Sequence, residues 1–153
     1  MLEKVKPIPD GFHTITPYLI VQGAEKLISF MKEAFGAQYH HEPAKRPDGS
    51  IMHASLKIGD SILMISDASE HAKAAPVMLY VYVPNVDAAY QRALKAGAAS
   101  VMEPADQFYG DRSAGVKDAA GNQWFLGTHI EDVSPAELQK RAAAFSKKQG
   151  KAA

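Results

Sequence analysis

No cysteine occurs anywhere in the 153 residues. That absence excludes disulfides, zinc ribbons, thiolate nucleophiles and iron–sulfur clusters together. Excess charge is absent as well: 17 basic and 17 acidic side chains cancel. DNA or RNA binding needs a concentrated basic surface, so nucleic acid is not an expected partner. A chain near its isoelectric point at neutral pH associates readily, which favours an oligomer. No apolar run approaches the ~18 residues that span a bilayer, so no membrane association is expected. Met1 to Asp10 carries Lys4 and Lys6 but also Pro7 and Pro9, with no apolar stretch of the kind a signal peptide has. The expected location is the cytoplasm. A glycine-rich phosphate loop, a Ser-His-Asp constellation and a dinucleotide fingerprint are all missing.

What is present is the composition of an ordinary globular domain, 46% hydrophobic and 22% charged. A chain of about 150 residues buries roughly 68–70% of its unfolded surface, enough for a core of its own. Thr14 to Val21 is rich in β-branched and aromatic residues and reads as a strand. Pro17 cannot donate to a ladder, so that strand belongs at an edge or has its N–H side free there. The period then changes over Ala24 to Phe35, where Leu27, Phe30, Met31, Ala34 and Phe35 form one helical face. Gly36 supplies the helix end. Gln38 to Pro43 reads as a second strand, and Arg46-Pro47-Asp48-Gly49 as a turn. Ser50 to Ile58 alternates, with Met52, Ala54, Leu56 and Ile58 on one face and Ile51, His53, Ser55 and Lys57 on the other. Gly59-Asp60 is a hairpin turn before a fourth strand, Ser61 to Ser66.

The same order then restarts. Val77 to Val83 is a strand, Asp87 to Ala96 a helix closed by Gly97, and Ser100 to Pro104, Ser113 to Lys117 and Gln123 to His129 are three further strands. Val21 corresponds to Val83, Gly36-Ala37 to Gly97-Ala98, and Gly59-Asp60 to Gly121-Asn122, an offset of about 61 to 62 residues. The fold class is therefore α+β: two tandem βαβββ modules. Ser134-Pro135-Ala136-Glu137 is a capping-box start for a C-terminal helix. The divisions expected are an N-terminal arm at 1–11, modules at 12–67 and 76–130, a linker at 68–75, and a helix with a basic, frayed tail at 131–153.

This repeat resembles the vicinal oxygen chelate superfamily of glyoxalases, bleomycin-resistance proteins and extradiol dioxygenases, and within it the PhnB-like branch. The residues that carry the likeness are Pro17-Tyr18-Leu19, Phe35-Gly36-Ala37, Met52-His53-Ala54, Gly59-Asp60-Ser61, Gly110-Asp111-Arg112, Asp118 with Gly121 and Trp124, and Thr128 to Pro135. The resemblance implies sheets curled into a cup with outer helices, a ligand on the concave face, and commonly a dimer. In the metalloenzymes it further implies a divalent metal held by the first and last strands of the modules. Those ligand positions fall here on Thr16, Met78, Phe125, and Met64 or Leu63 if the register slips by one. Hydroxyl, thioether and aryl groups do not replace the imidazoles and carboxylates that such a metal needs. The expected metal set is thus none, and no cofactor is implied.

Elsewhere, His40-His41 are adjacent on a strand and are expected on opposite faces. His13 and His71 fall in loops. His129 ends the last strand beside the acidic Glu131-Asp132 turn, which offers it a local hydrogen bond. By strand parity Thr16, Tyr18 and Ile20 share a face, as do Met78, Tyr80 and Tyr82. Met64 and Phe125 join them by alignment, and His53 faces the same way if Met52, Ala54 and Leu56 pack under the helix. Aromatic faces stack on planar ligands and methionine adapts to irregular ones. The expected ligand-binding set is Tyr18, Ile20, His53, Met64, Met78, Tyr80, Tyr82, Arg112 and Phe125. Arg112 is read either as a fork for a ligand anion or as an ion-pair strap between strands. Trp124, on the opposite parity from Phe125, is expected in the core. The function expected is metal-free binding of a small planar or amphipathic molecule by a homodimer. The alternative is a lyase, isomerase or dioxygenase of the glyoxalase kind with His53 as catalytic base and Arg112 holding substrate. A third reading is a structural or regulatory dimer whose cup is filled.

Overall fold

In the computed structural model, which describes residues 4–152, the alternating and helical periods of the sequence become nine strands and three helices among the described residues. They are β1 (Tyr18–Val21), α1 (Ala24–Phe35), β2 (Gln38–Tyr39), β3 (Ala44–Lys45), β4 (Ile51–Ile58), β5 (Ser61–Asp67), β6 (Met78–Tyr82), α2 (Val86–Lys95), β7 (Ala99–Asp106), β8 (Asp111–Lys117), β9 (Gln123–His129) and α3 (Pro135–Ala152). Met1 to Glu3 of the expected N-terminal arm, and Ala153 of the expected tail, lie outside the described residues.

The chain divides into two compact units. The first runs up to Val77 and includes the turn Asp118–Asn122; the second holds Met78–Lys117 and the chain from Gln123 onward.

In the first unit the sheet order is β1-β5-β4-β2, with β3 also pairing to β4. β1 runs parallel to β5, and the other pairs are antiparallel. β1 is an edge strand, and it is shorter than its composition predicts, with Pro17 left outside it. The ladder begins only at Tyr18, and the Pro17 carbonyl accepts from Met64 N–H at 2.9 Å. The expected strand over Gln38 to Pro43 is also broken: it stops at Tyr39, and a separate two-residue strand at Ala44 pairs with β4. Leu19, Val21, Ala54, Leu56, Leu63 and Ile65 are buried on the side that α1 covers with Leu27, Ile28, Met31 and Ala34. Met52, expected with them, is half-exposed. The N-terminus of α1 has no cap of its own. Instead the Asp67 carboxylate, at the end of β5, accepts from the backbone N–H groups of Gly23 and Ala24 at 3.1 and 2.8 Å, and from that of Ile51 at 2.7 Å. Gly36 ends the helix at φ 68°, a left-handed conformation open to glycine.

In the second unit the order is β6-β9-β8-β7, with β6 parallel to β9. Trp124, Leu126, Ala114 and Val116 are buried on the α2 side, together with Val86, Ala89, Tyr90 and Ala93 of the helix. Burying each large apolar side chain contributes about 1.5–3 kcal/mol, so this face holds the unit together. Thr128 does here what Asp67 does in the first unit: its Oγ1 accepts from Val86 N–H at the start of α2, 2.9 Å away. β7 runs on to Asp106, past the expected end at Pro104. It lies at the edge and shifts register twice, which is how a strand accommodates a proline. Ser134 Oγ accepts from Glu137 N–H at 3.2 Å as the N-cap of α3. That helix continues through Lys147 to Ala152, a stretch whose composition predicts fraying.

Candidate functional site

Residues paired in register on neighbouring strands stand on the same face of a sheet. On the side of the first sheet opposite α1, Tyr18 pairs with Met64 and Met64 with Ser55, while Ile20 pairs with Ser66 in the next row. His53, two residues before Ser55, shares that face. Its Nδ1 lies 3.3 Å from the Tyr18 hydroxyl, and the two rings are 5.8 Å apart. Tyr18, Ile20, His53 and Met64 are thus brought together as the parity predicts. Thr16 precedes β1, and its hydroxyl donates to the His13 carbonyl at 3.0 Å. His40 and His41 do not alternate, because β2 ends at Tyr39. Their rings lie side by side at 4.1 Å, with Phe12 edge-on to His40.

The second sheet presents three comparable rows: Met78–Gln123–Lys117, Tyr80–Phe125–Gly115 and Tyr82–Gly127–Ser113. A fourth position pairs His129 with Asp111. Met78 and Tyr82 are each 65% exposed and Tyr80 41%, so their surfaces are open to a ligand. Two glycines shape this face. A Cβ at Gly127 would collide with the Tyr80 hydroxyl and lie 2.6 Å from its ring, and one at Gly115 would lie 3.0 Å from the Phe125 ring. Both aromatic rings therefore lie down across backbone that has no side chain.

Lying over Gly127, Tyr80 reaches Asp111. Asp111 is buried, and its carboxylate is fully engaged. Oδ2 accepts from the hydroxyls of Tyr80 and Tyr82, each at 3.0 Å, and Oδ1 meets His129 Nδ1 at 2.9 Å. His129 Nε2 meets Asp132 Oδ1 at 2.7 Å, so the imidazole bridges two carboxylates. Burial pushes the Asp111 carboxyl up, but the bonds from His129, Tyr82 and Tyr80 outweigh it and hold it below the usual carboxylate range. His129 is raised, first by Asp132 and then by Asp111. Tyr80 is raised by burial and by Asp111, and Tyr82 by its bond to Asp111 and by burial, so both phenols keep their protons. Ser113 Oγ, on the same face, is buried without a hydrogen-bond partner.

Arg112 has the opposite parity from Asp111 and does not join this face. Its guanidinium grips the Asp87 carboxylate of α2 through Nε at 2.8 Å and Nη2 at 2.9 Å, and Asp106 through Nη1 at 3.0 Å. That is the strap reading, tying β8 to α2 and to β7. Trp124 is buried in the core, and Phe125 stands half-buried on the open face.

The pairing of Asp111 with His129 is the feature that strand parity alone misses. It is reached only by counting outward along both strands from the turn Asp118–Asn122. In that turn the Asp118 carboxylate accepts from Ala120 and Asn122 N–H at 2.8 and 3.0 Å and sets the register.

The donors at the positions implied for a divalent metal do not fit one. Met64 and Met78 offer thioethers, Phe125 offers none, and the Thr16 hydroxyl is engaged locally. Among the described residues no group of three or more His, Asp or Glu side chains is arranged to hold a metal ion, and no helix is long and apolar enough to cross a membrane.

Comparisons with known proteins bear on these rows and sheets. A family model described as Glyoxalase/Bleomycin resistance protein/Dioxygenase superfamily matches residues 11–126. The uncharacterized protein Mb0911c of Mycobacterium bovis is 34% identical, over 82% of this chain and 89% of its own. The uncharacterized protein Rv0887c of Mycobacterium tuberculosis is also 34% identical, over 82% and 79%. Among solved structures, TioX from Micromonospora sp. ML1 matches with a TM-score of 0.64 at 23% identity, over 77% of this chain and 99% of that one. A PhnB protein from Bacillus cereus, described as a putative 3-demethylubiquinone-9 3-methyltransferase, matches with a TM-score of 0.61 at 17% identity, over 76% and 99%. At these identities the structural likeness speaks for the fold alone.

Proposed function

The chain belongs to the Glyoxalase/Bleomycin resistance protein/Dioxygenase superfamily, and from that premise we propose that it is a metal-free binding protein for a small planar or amphipathic molecule. The observation that carries this reading is the open face of the second sheet. Met78, Tyr80, Tyr82 and Phe125 line it, and two of them, Met78 and Phe125, stand where the resemblance to the metalloenzymes would place lone-pair donors. Aromatic faces offer large contact area to a flat ligand at low entropic cost, and a thioether adapts its shape to the remainder. In the first unit Tyr18, Ile20, Met64 and His53 form a smaller face of the same kind. The modules are taken as residues 12–67 and 76–130, the working protein as a cytoplasmic homodimer, and its branch as PhnB-like, for which the Bacillus cereus neighbour is the support.

The test is elemental analysis of protein purified without a tag, run beside a thermal-shift screen of planar amphipathic compounds. Metal well below one ion per chain together with ligand-raised melting supports the reading. A stoichiometric, tightly held transition metal overturns it.

A metal-independent lyase or isomerase is the second reading, favoured by the Tyr18 hydroxyl at 3.3 Å from His53 Nδ1. In that reading His53 is the base, within hydrogen-bond reach of a hydroxyl on the open face. Unchanged turnover of every active substrate in His53→Ala excludes it.

A further inference from the structure

The arrangement of protons on the second sheet narrows the class of ligand, and this step rests on the binding reading above. We infer that the open face of the second unit selects a planar cation bearing N–H donors, stacked against the Tyr80–Tyr82 ring pair and hydrogen-bonded to the Tyr82 phenolic oxygen.

A phenol has one proton to donate and lone pairs to accept with. Both tyrosines direct that single proton to Asp111 Oδ2 at 3.0 Å. The Tyr80 hydroxyl is also hydrogen-bonded to the Tyr109 side chain, so Tyr82 is the open acceptor: it shows a ligand oxygen lone pairs only, strengthened by the buried carboxylate behind it. A ligand carrying N–H groups completes that oxygen. A ligand carrying a carboxylate or sulfonate meets lone pair against lone pair.

Charge points the same way. Asp111 and Asp132 contribute two formal negative charges, and His129 between them at most one positive. The cluster is therefore net negative in either state of the imidazole. Lys117 is the countercharge on this face, but it stands six residues along β8, about 20 Å from Asp111 at strand rise. The ring faces add to the preference, because their quadrupoles attract cations. The two rings lie 5.1 Å apart at a tilt of 55°, and both are substantially exposed, so a flat ligand stacks on one ring and meets the other at an angle.

A separate observation marks the same place. Ser113 pairs with Gly127 in the row of Tyr82, and its hydroxyl is buried without a partner. An orphaned buried hydroxyl costs free energy, and in natural structures such a group goes with a bound water or ion, stored strain or a functional role. The first unit has buried serines on this face, Ser55 and Ser66, but no carboxylate in the corresponding place. Ile51 occupies the place corresponding to Asp111, two residues before His53 as Asp111 is two before Ser113.

The experiment is calorimetric titration of the full chain at neutral pH with two flat probes of opposite charge. Proflavine is a planar cation with amino donors, and pyrene-1-sulfonate a planar anion without them. The expected result is proflavine bound at least about tenfold more tightly, equivalent to about 1.4 kcal/mol. Tyr82→Phe keeps the ring and removes the acceptor oxygen at an exposed position, so it should fold normally. It is expected to weaken proflavine several-fold and leave pyrene-1-sulfonate unchanged. Equal or tighter binding of the anion overturns the ligand class while leaving the binding reading intact. Preference for proflavine that Tyr80→Phe and Tyr82→Phe both leave untouched overturns the assignment to this face. Binding of neither probe, nor of any compound in the thermal-shift screen, removes both.

Discussion

The two units have the same rows and opposite temperaments. Tyr18 opposite Met64 in the first corresponds to Tyr80 opposite Phe125 in the second, and in both a side chain near the end of the last strand caps the helix that follows the first strand. Behind those rows the chemistry parts. The first unit sets an aliphatic Ile20 and a single Tyr–His contact on its open face. The second pins two tyrosines to one buried carboxylate and clamps that carboxylate with an imidazole. The lesson is that duplicated architecture is held by the α-facing rows, which are apolar in both units, and this leaves the opposite rows free to diverge.

The largest expected effect comes from Gly127→Ala. The added methyl displaces the Tyr80 ring and breaks its bond to Asp111, and overpacking of this kind costs about 1–3 kcal/mol. The corresponding residue of the first unit, Ser66, is buried and already carries a Cβ, so Ser66→Ala should change stability far less. Chemical denaturation of the two variants measures the contrast; equal losses would mean that the aromatic rows do not differ in the way described.

Next comes the pair of helix caps. Asp67→Ala leaves three backbone N–H groups without their acceptor, whereas Thr128→Val leaves one. Losing a cap costs about 0.5–2 kcal/mol, and the Asp67 variant belongs at or above the top of that range and the Thr128 variant nearer the middle. Melting temperatures of the two variants check the order.

How much of this was legible beforehand depends on distance along the chain. Local signals were enough for Gly36 at the end of α1, β1 at an edge, and the opposed fates of Trp124 and Phe125. Signals that cross strands were not. His40 and His41 sit side by side because a strand expected to carry them ends one residue earlier. Arg112 finds Asp87 on a helix 25 residues away. The Asp111 site needs three strands in register and a glycine under a tyrosine, and no short window of sequence contains those together. The tandem likeness itself drew attention to metal positions on the first and last strands, and away from the start of β8.

A smaller effect separates the units by pH. The folded-state pKa of His129 is raised, so its contribution is complete below the unfolded value near 6.5 and is lost as pH rises through the higher folded value. The folded-state pKa of Asp111 is lowered, so its contribution is present above the unfolded value near 3.9 and is lost as pH falls through the lower folded value. Both act together between about pH 4 and 6.5. The melting temperature of the wild type should decline from that window toward alkaline pH, and His129→Gln should flatten the decline. An unchanged alkaline slope in that variant would assign the decline to other groups.

The most direct test of the difference between the two faces is a nitrogen–proton NMR titration of the full chain with proflavine. The expected result is that the amides of Tyr82, Gly115, Gly127 and His129 shift together and saturate, while those of Ile20, Ser55 and Ser66 hold still. Saturating shifts confined to Ile20, Ser55 and Ser66 would contradict it.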